Sequence, residues 1–304
     1  MKLACLGLLA ALLSWPQVQP LQKTIALAAS QIYISPDTNS TRMGQLRPGE
    51  VIGVQDHSGA FTQVFSGVSG WITGHDFVVL DTPGADEVIF GAATALEAEA
   101  QGDSSDTQTA QDAARLYLNL YGYLPQSPRA GEALYRGASL QWQLKMAEEP
   151  RRRTPEERMF PDDSLMRKVI SKFKDTPWAA RAEYQLLVEH FTCGDWFSKP
   201  ECIGKEVDRY QDYVKKYPRG PMSAEAAYDA VYREGIAWTI YSQPGQQQNQ
   251  GKADAYARQV ASDAARLQQD YPHTDWAARG ALVAFQVSGH SPLKLPGSTP
   301  LGGP

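Results

Sequence analysis

The residues able to do chemistry in this chain are few and scattered. Five histidines, His57, His75, His190, His273 and His290, stand apart. None sits in His-Glu-x-x-His spacing, in which two imidazoles one helical turn apart share a zinc beside a general base. One set of ligand types is close in sequence: His190, Cys193, Asp195 and Cys202. On a helix end and its loop these could hold zinc. In an oxidising compartment the two thiols instead form a disulfide, and Cys193–Cys202 is the pairing we expect, with no metal. Such a short closed loop contributes about 2–3 kcal/mol by the chain-entropy estimate. Ser66-Gly67-Val68-Ser69-Gly70 has the wrong glycine spacing for a nucleophile elbow, and no glycine-rich phosphate loop occurs. The carboxylates Glu156-Glu157 and Asp162-Asp163 are adjacent on polar stretches. A catalytic pair faces across a cleft, so these read as charges at helix starts. The sequence therefore assigns no catalytic residue, no metal ligand and no cofactor.

Aromatic side chains are the other candidates. Tyr33, Phe61 and Trp71 fall in a β-rich stretch and could form a face for a peptide or glycan; the plainer alternative makes Trp71 a core aromatic. Trp196-Phe197, an apolar pair inside the cysteine loop, could be an interaction tip. Trp142, Trp178, Trp238 and Trp276 fall mostly at helical spacing and read as core.

The elements that position these residues follow from a repeated phrase. Leu124-Pro-Gln-Ser-Pro, Phe173-Lys-Asp-Thr-Pro, Tyr217-Pro-Arg-Gly-Pro and Tyr271-Pro-His-Thr-Asp are four anchors. Six positions on stand Ala130, Ala179, Ser223 and Ala277; nine on, Ala133, Ala182, Ala226 and Gly280; eleven on, Tyr135, Tyr184, Tyr228 and Leu282. An apolar residue ends one helix, a proline or polar residue turns the chain, and small residues line the next helix. That is how a helical repeat array is built. Anchor spacings are 49, 44 and 54 residues. The excess over a tetratricopeptide period falls at Pro150–Pro161, Cys193–Cys202 and Gln243–Gly251, each between the two helices of a unit. These insertions, stacked along one edge, and the adjoining groove are the expected partner surface.

Residues 23–82 differ in texture. Short β-rich runs (Thr24–Ala28, Gln31–Ile34, Glu50–Gln55, Thr62–Phe65, Gly70–Thr73, Phe77–Leu80) alternate with turn residues, which suggests a small barrel filled by Val51, Val54, Val64 and Ile72. Residues 1–22 read as a signal peptide: Met1-Lys2, an apolar run from Leu3 to Trp15 too short to span a bilayer, then Pro16. Residues 83–109 read as a linker containing a helix over Glu87–Ala100, residues 110–287 as the repeat domain, and residues 288–304 as a disordered tail. The 304 residues, 42% apolar and 21% charged, suit two domains with real cores. A formal net charge of −5 argues against nucleic acid as partner, and no segment after the signal reads as a membrane helix.

The order Ile32-Tyr33-Ile34-Ser35-Pro36, Gly44-Gln45-Leu46-Arg47-Pro48-Gly49-Glu50-Val51, Phe61-Thr62-Gln63-Val64 and Gly70-Trp71-Ile72 resembles the bacterial SH3-like (SH3b) domain. Two positions depart from that family: Tyr33-Ile34-Ser35 replaces its Asn-Val-Arg strand, and Phe61 its usual Trp. The anchors resemble those of tetratricopeptide-like proteins of the Gram-negative envelope, though without a lipid-attachment cysteine. The fold class expected is thus mixed and multidomain, a small all-β SH3-like barrel followed by an all-α helical-hairpin repeat, or α-solenoid. The resemblance implies a non-enzymatic scaffold, periplasmic or secreted. Its array would gather envelope proteins, and its barrel would bind peptide or peptidoglycan. Two alternatives stay open, an accessory or cryptic peptidoglycan hydrolase and a purely structural barrel with all binding in the array.

Overall fold

A computed structural model describes residues 23–102, 107–148, 162–190, 196, 199–243 and 249–294. They form two compact units that divide between Ala92 and Ala93. The chain is mixed in class, an antiparallel sheet of seven strands followed, among the described residues, by nine helices.

The strands are β1 (Lys23–Ala26), β2 (Ser30–Tyr33), β3 (Arg42–Leu46), β4 (Val51–Ser58), β5 (Phe61–Phe65), β6 (Ser69–Thr73) and β7 (Phe77–Val79). Their order across the sheet is β3-β2-β6-β5-β4-β1-β7. No pairing among the described residues joins β3 to β7, so the sheet has two edges where a closed barrel was expected. Six strands were expected and β3 was not. It lies at an edge with only Leu46 buried, so it lacks the alternation that marks a half-buried strand. Ala26, Ile32, Leu46, Ile52, Val64 and Ile72 form the core, with Phe77 packed against it. Two of the four expected core residues, Val64 and Ile72, are buried there; Val51 and Val54 are not, and Ile52 takes the inward place. Side chains alternate along a strand, so an assignment one residue out exchanges the two faces. The β4–β5 register also shifts between Val54 and Asp56. Gly70 sets how closely β2 and β6 approach. A Cβ there would lie 2.4 Å from Ile32 Cγ2 and 3.0 Å from the Tyr33 carbonyl oxygen.

The helices are α1 (Ala85–Gly102), α2 (Thr107–Tyr123), α3 (Ala130–Glu148), α4 (Ser164–Lys172), α5 (Pro177–His190), α6 (Glu201–Lys216), α7 (Ser223–Tyr241), α8 (Gln250–Asp270) and α9 (Asp275–Ser288). α1 crosses the division between the units. Its Glu97 accepts from Tyr117 Oη at 2.8 Å and from Arg136 Nε at 2.8 Å, so its second half is held by α2 and α3.

The four anchors fold into one and the same turn. At each, the anchor N–H donates to the carbonyl four residues back, closing the preceding helix: Leu124 to Leu120, Phe173 to Val169, Tyr217 to Tyr213 and Tyr271 to Leu267. At each, the anchor carbonyl then accepts from the N–H three residues on, of Ser127, Thr176, Gly220 and Thr274. Thr176 and Thr274 also cap the next helix, their hydroxyls accepting from the N–H of Ala179 at 3.3 Å and of Ala277 at 3.2 Å. The small residues six and nine positions on are all buried. They let successive helices approach: a Cβ on Gly280 would lie 2.7 Å from Leu267 Cδ2. Each helix from α2 onward packs on the next, and α3 also packs on α5 and α7 on α9. The long connections fall between α3 and α4, α5 and α6, and α7 and α8, where the spacing excess was expected. After α9 the chain turns back, and the Leu293 N–H donates to Thr239 Oγ1 at 3.1 Å. The segment read as a tail from Ser288 therefore contributes Leu293 to the helical core.

Candidate functional site

Alternation along β5 and β6 decides which aromatics can meet a ligand. Thr62 and Val64 of β5 and Gly70 and Ile72 of β6 point inward, so Phe61, Gln63 and Trp71 take the other face. Trp71 pairs in register with Tyr33 on one side and Gln63 on the other. The Tyr33 and Phe61 rings meet edge to face with centroids 6.5 Å apart. The three expected residues are therefore neighbours, but unequal ones. Tyr33 is 7% exposed and acts as a floor, whereas Phe61 and Trp71 are half-buried, and none of the three belongs to the core cluster. Sequence spacing did not show that two histidines also converge on this unit. His57 Nδ1 and His75 Nδ1 lie 3.2 Å and 3.1 Å from the buried Thr62 hydroxyl.

In the helical unit Trp196 is half-buried against the core. Its Nε1 donates to Glu206 Oε1 at 3.3 Å, while Glu206 Oε2 accepts from Arg233 Nε at 2.7 Å. Arg233 also reaches Asp229 Oδ1 at 3.3 Å and donates to Tyr210 Oη at 3.1 Å, and Asp229 Oδ2 accepts from Tyr184 Oη at 2.8 Å. The guanidinium lies over the Tyr210 ring, 4.2 Å from its centroid. Burial pushes the Tyr210 phenol up to about 12, with Arg233 opposing, and burial raises Asp229 against the same guanidinium. This network ties α5, α6 and α7 together, with Trp196 at its edge. Phe197 and Cys193 lie outside the described residues, whereas Cys202 stands in the first turn of α6. No group of three or more His, Cys, Asp or Glu placed to hold a metal ion occurs among the described residues.

The helical unit also carries a pair of related grooves. The first, about 800 Å³, lies among α4, α5 and α6. The second, about 270 Å³, lies among α6, α7 and α8. Counted from their anchors, the two share eight lining positions. Arg167 and Ile170 of the first correspond to Gln211 and Val214 of the second, six and three residues before an anchor. Glu183 and Leu186 correspond to Ala227 and Ala230, ten and thirteen residues after one. Tyr213 corresponds to Leu267. Three charged positions match as well, and there every sign is inverted: Arg209 becomes Asp263, Asp212 becomes Arg266, and Lys216 becomes Asp270. One backbone device thus makes two grooves of different charge pattern: three signs are inverted, and Arg167 and Glu183 give way to the uncharged Gln211 and Ala227.

The same positions in the unit before these include Leu118, Tyr121 and Lys168. Lys168 Nζ sits 4.7 Å from the Tyr121 ring centroid, and Leu118 lies where a Cβ on Gly137 would be, 2.9 Å from its Cγ. Beside the second groove lies a buried carboxyl. Glu234 is fully buried, its Oε1 accepts from Gln211 Nε2 at 3.4 Å, and its Oε2 has no partner. The same Gln211 amide donates to Asp263 at 2.8 Å. Burial, and after it the charge on Asp263, raises the Glu234 carboxyl to about 9, so it is a neutral acid at physiological pH. The long connections thus fall where the spacing excess was expected, and the correspondence of the two grooves emerges only when the residues before each anchor are aligned as well as those after it. No helix among the described residues is long and apolar enough to cross a membrane. No protein-family model matches the chain, and no curated protein compared with it is similar.

Proposed function

We propose that this chain is a non-enzymatic, exported scaffold of the bacterial cell envelope. In this reading an SH3-like module takes peptide or cell wall through Phe61 and Trp71, with Tyr33 beneath them. A tetratricopeptide-like α-solenoid takes protein partners in its grooves, and a Cys193–Cys202 disulfide staples the turn between α5 and α6. The observation that carries the proposal is the recurrence of a groove at shared repeat positions with three of its charges inverted. A structural core has no need of open, charged concavities, whereas recognition of two partners does. Electrostatic complementarity of this kind selects partners and speeds their encounter more than it adds affinity. The test is retention of the purified chain on isolated peptidoglycan sacculi, and of periplasmic proteins on the immobilised chain. The proposal expects both, with wall retention lost on Trp71→Ala and protein retention unaffected by it. Retention of neither contradicts both halves, and a cleared band in wall-substrate zymography contradicts the non-enzymatic reading.

A further inference from the structure

Two histidines of the sheet unit meet at a single hydroxyl. His57 of β4 stands opposite Thr62 of β5 in register, so their side chains share one face. His75 follows β6, on the other side of β5, and reaches the same residue. Thr62 Oγ1 lies 3.2 Å from His57 Nδ1, 3.1 Å from His75 Nδ1 and 3.4 Å from the Gly74 carbonyl oxygen. Thr62 is fully buried, whereas both histidines are exposed. A hydroxyl gives one proton and a carbonyl only accepts, so at least one Nδ1 must itself donate to Thr62. One buried oxygen therefore fixes the direction of two imidazoles that remain open to water. Neither the aromatic face nor the helical array uses them.

We propose that His57 Nδ1, His75 Nδ1 and Thr62 Oγ1 form a binding site for a divalent transition-metal ion of borderline softness, the class of Zn²⁺ and Cu²⁺. Imidazole nitrogen suits these ions, whereas Mg²⁺ and Ca²⁺ take carboxylate and carbonyl oxygen. The spacing fits as well. Two imidazoles that share an ion at about 2.0–2.1 Å hold their centroids roughly 4.5–6.4 Å apart, as the angle at the metal opens from a right angle to a straight line. The two centroids here are 5.8 Å apart, with the ring planes tilted by 59°. Both Nδ1 atoms already face Thr62 Oγ1, so an ion seated between them meets that oxygen as a third, weaker ligand. A ring that carried its proton on Nδ1 gives it up there and regains one from water at Nε2, and water fills the remaining positions on the ion. Asp56 and Asp76, next to the two histidines in sequence, are exposed and add negative charge near the ion. The ion would clip the end of β4 to the segment after β6 and stabilise the sheet unit by linkage.

Calorimetric titration of the full chain with Zn²⁺ alone, and with Cu²⁺ alone, reads the site directly. Both ions should bind, Cu²⁺ the more tightly. His57→Asn and His75→Asn should each weaken Zn²⁺ binding at least about tenfold, and the control His273→Asn, at an exposed residue of the helical unit, should leave it unchanged. The electron paramagnetic resonance spectrum of the Cu²⁺ form should show coupling to imidazole nitrogen that either variant diminishes. Saturating Zn²⁺ should raise the melting temperature of the parent and of neither variant. Because both histidines are exposed, each variant without metal should keep the parent's circular dichroism and melting temperature. No binding of either ion up to about 1 mM overturns the inference. So does binding of equal affinity in the parent and both histidine variants.

Discussion

Substituting Glu234 by glutamine should stabilise the protein, and more so the higher the pH. The Glu234 carboxyl is fully buried on α7 with one oxygen unpartnered, and its folded-state value is about 9 against an ordinary 4.5. Below pH 4.5 the folded and unfolded chains both hold the proton, and the group adds no pH dependence. Between 4.5 and 9 only the folded chain holds it, so stability falls as pH rises, by at most about 1.4 kcal/mol per pH unit. From pH 5 to pH 8 the fall attributable to Glu234 is therefore no more than about 4 kcal/mol, and relaxation around the site reduces it to roughly 1–3. Glu234→Gln keeps the shape, removes the titration and gives Asp263 an amide donor. Urea unfolding at both pH values is the assay. The variant should match the parent near pH 5 and exceed it at pH 8 by about 1–3 kcal/mol. An equal difference between variant and parent at the two pH values would refute a neutral buried acid, as would a variant weaker at pH 8.

Arg233→Met takes the guanidinium away from the buried Glu206, 1% exposed, and should cost about 1–3 kcal/mol in denaturant unfolding; adding Glu206→Gln should recover part of that. Gly70→Ala sets a methyl against Ile32 and the Tyr33 carbonyl oxygen and should cost about 2–3 kcal/mol, read as a lowered melting temperature of the sheet unit. Thr274→Ala removes the cap of α9 and should cost about 1 kcal/mol in the same unfolding assay, leaving the parent's helical circular dichroism otherwise intact.

How far the sequence revealed this protein depends on whether a feature is local. The anchors combine a helix-ending residue, a turn and small residues at fixed offsets, all written within about a dozen positions, and the structure repeats one hydrogen-bonded turn at all four. The strands were legible where alternation was clear, as at Thr62–Phe65. They were not at β3, whose outward residues Arg42 to Gln45 carry no pattern. The inward residue of β4 was misplaced because Val51, Ile52 and Val54 all suit a core, and only pairing with β1 and β5 selects Ile52. Leu293 escaped notice because a single leucine in a Pro- and Gly-rich stretch has no period. Its burial depends on Thr239 and Gly235, more than 50 residues earlier. The site residues divide in the same way. Tyr33, Phe61 and Trp71 do come together, through strand register. A groove was expected, but its lining was not legible, because its charged residues look like ordinary solvated helix faces until α4, α6 and α8 are set in register.

The central proposal is that the two grooves recognise different partners through one backbone device with three of its charges inverted. It is tested most directly at the position just before the anchors of α6 and α8. Lys216→Glu alters the first groove and Asp270→Lys the second, each at an exposed residue. Periplasmic proteins retained on immobilised parent and on the two variants should be identified and quantified side by side. The account predicts that each variant loses a different subset of the parent's partners while binding to sacculi is unchanged. Identical retention by parent and both variants would contradict it.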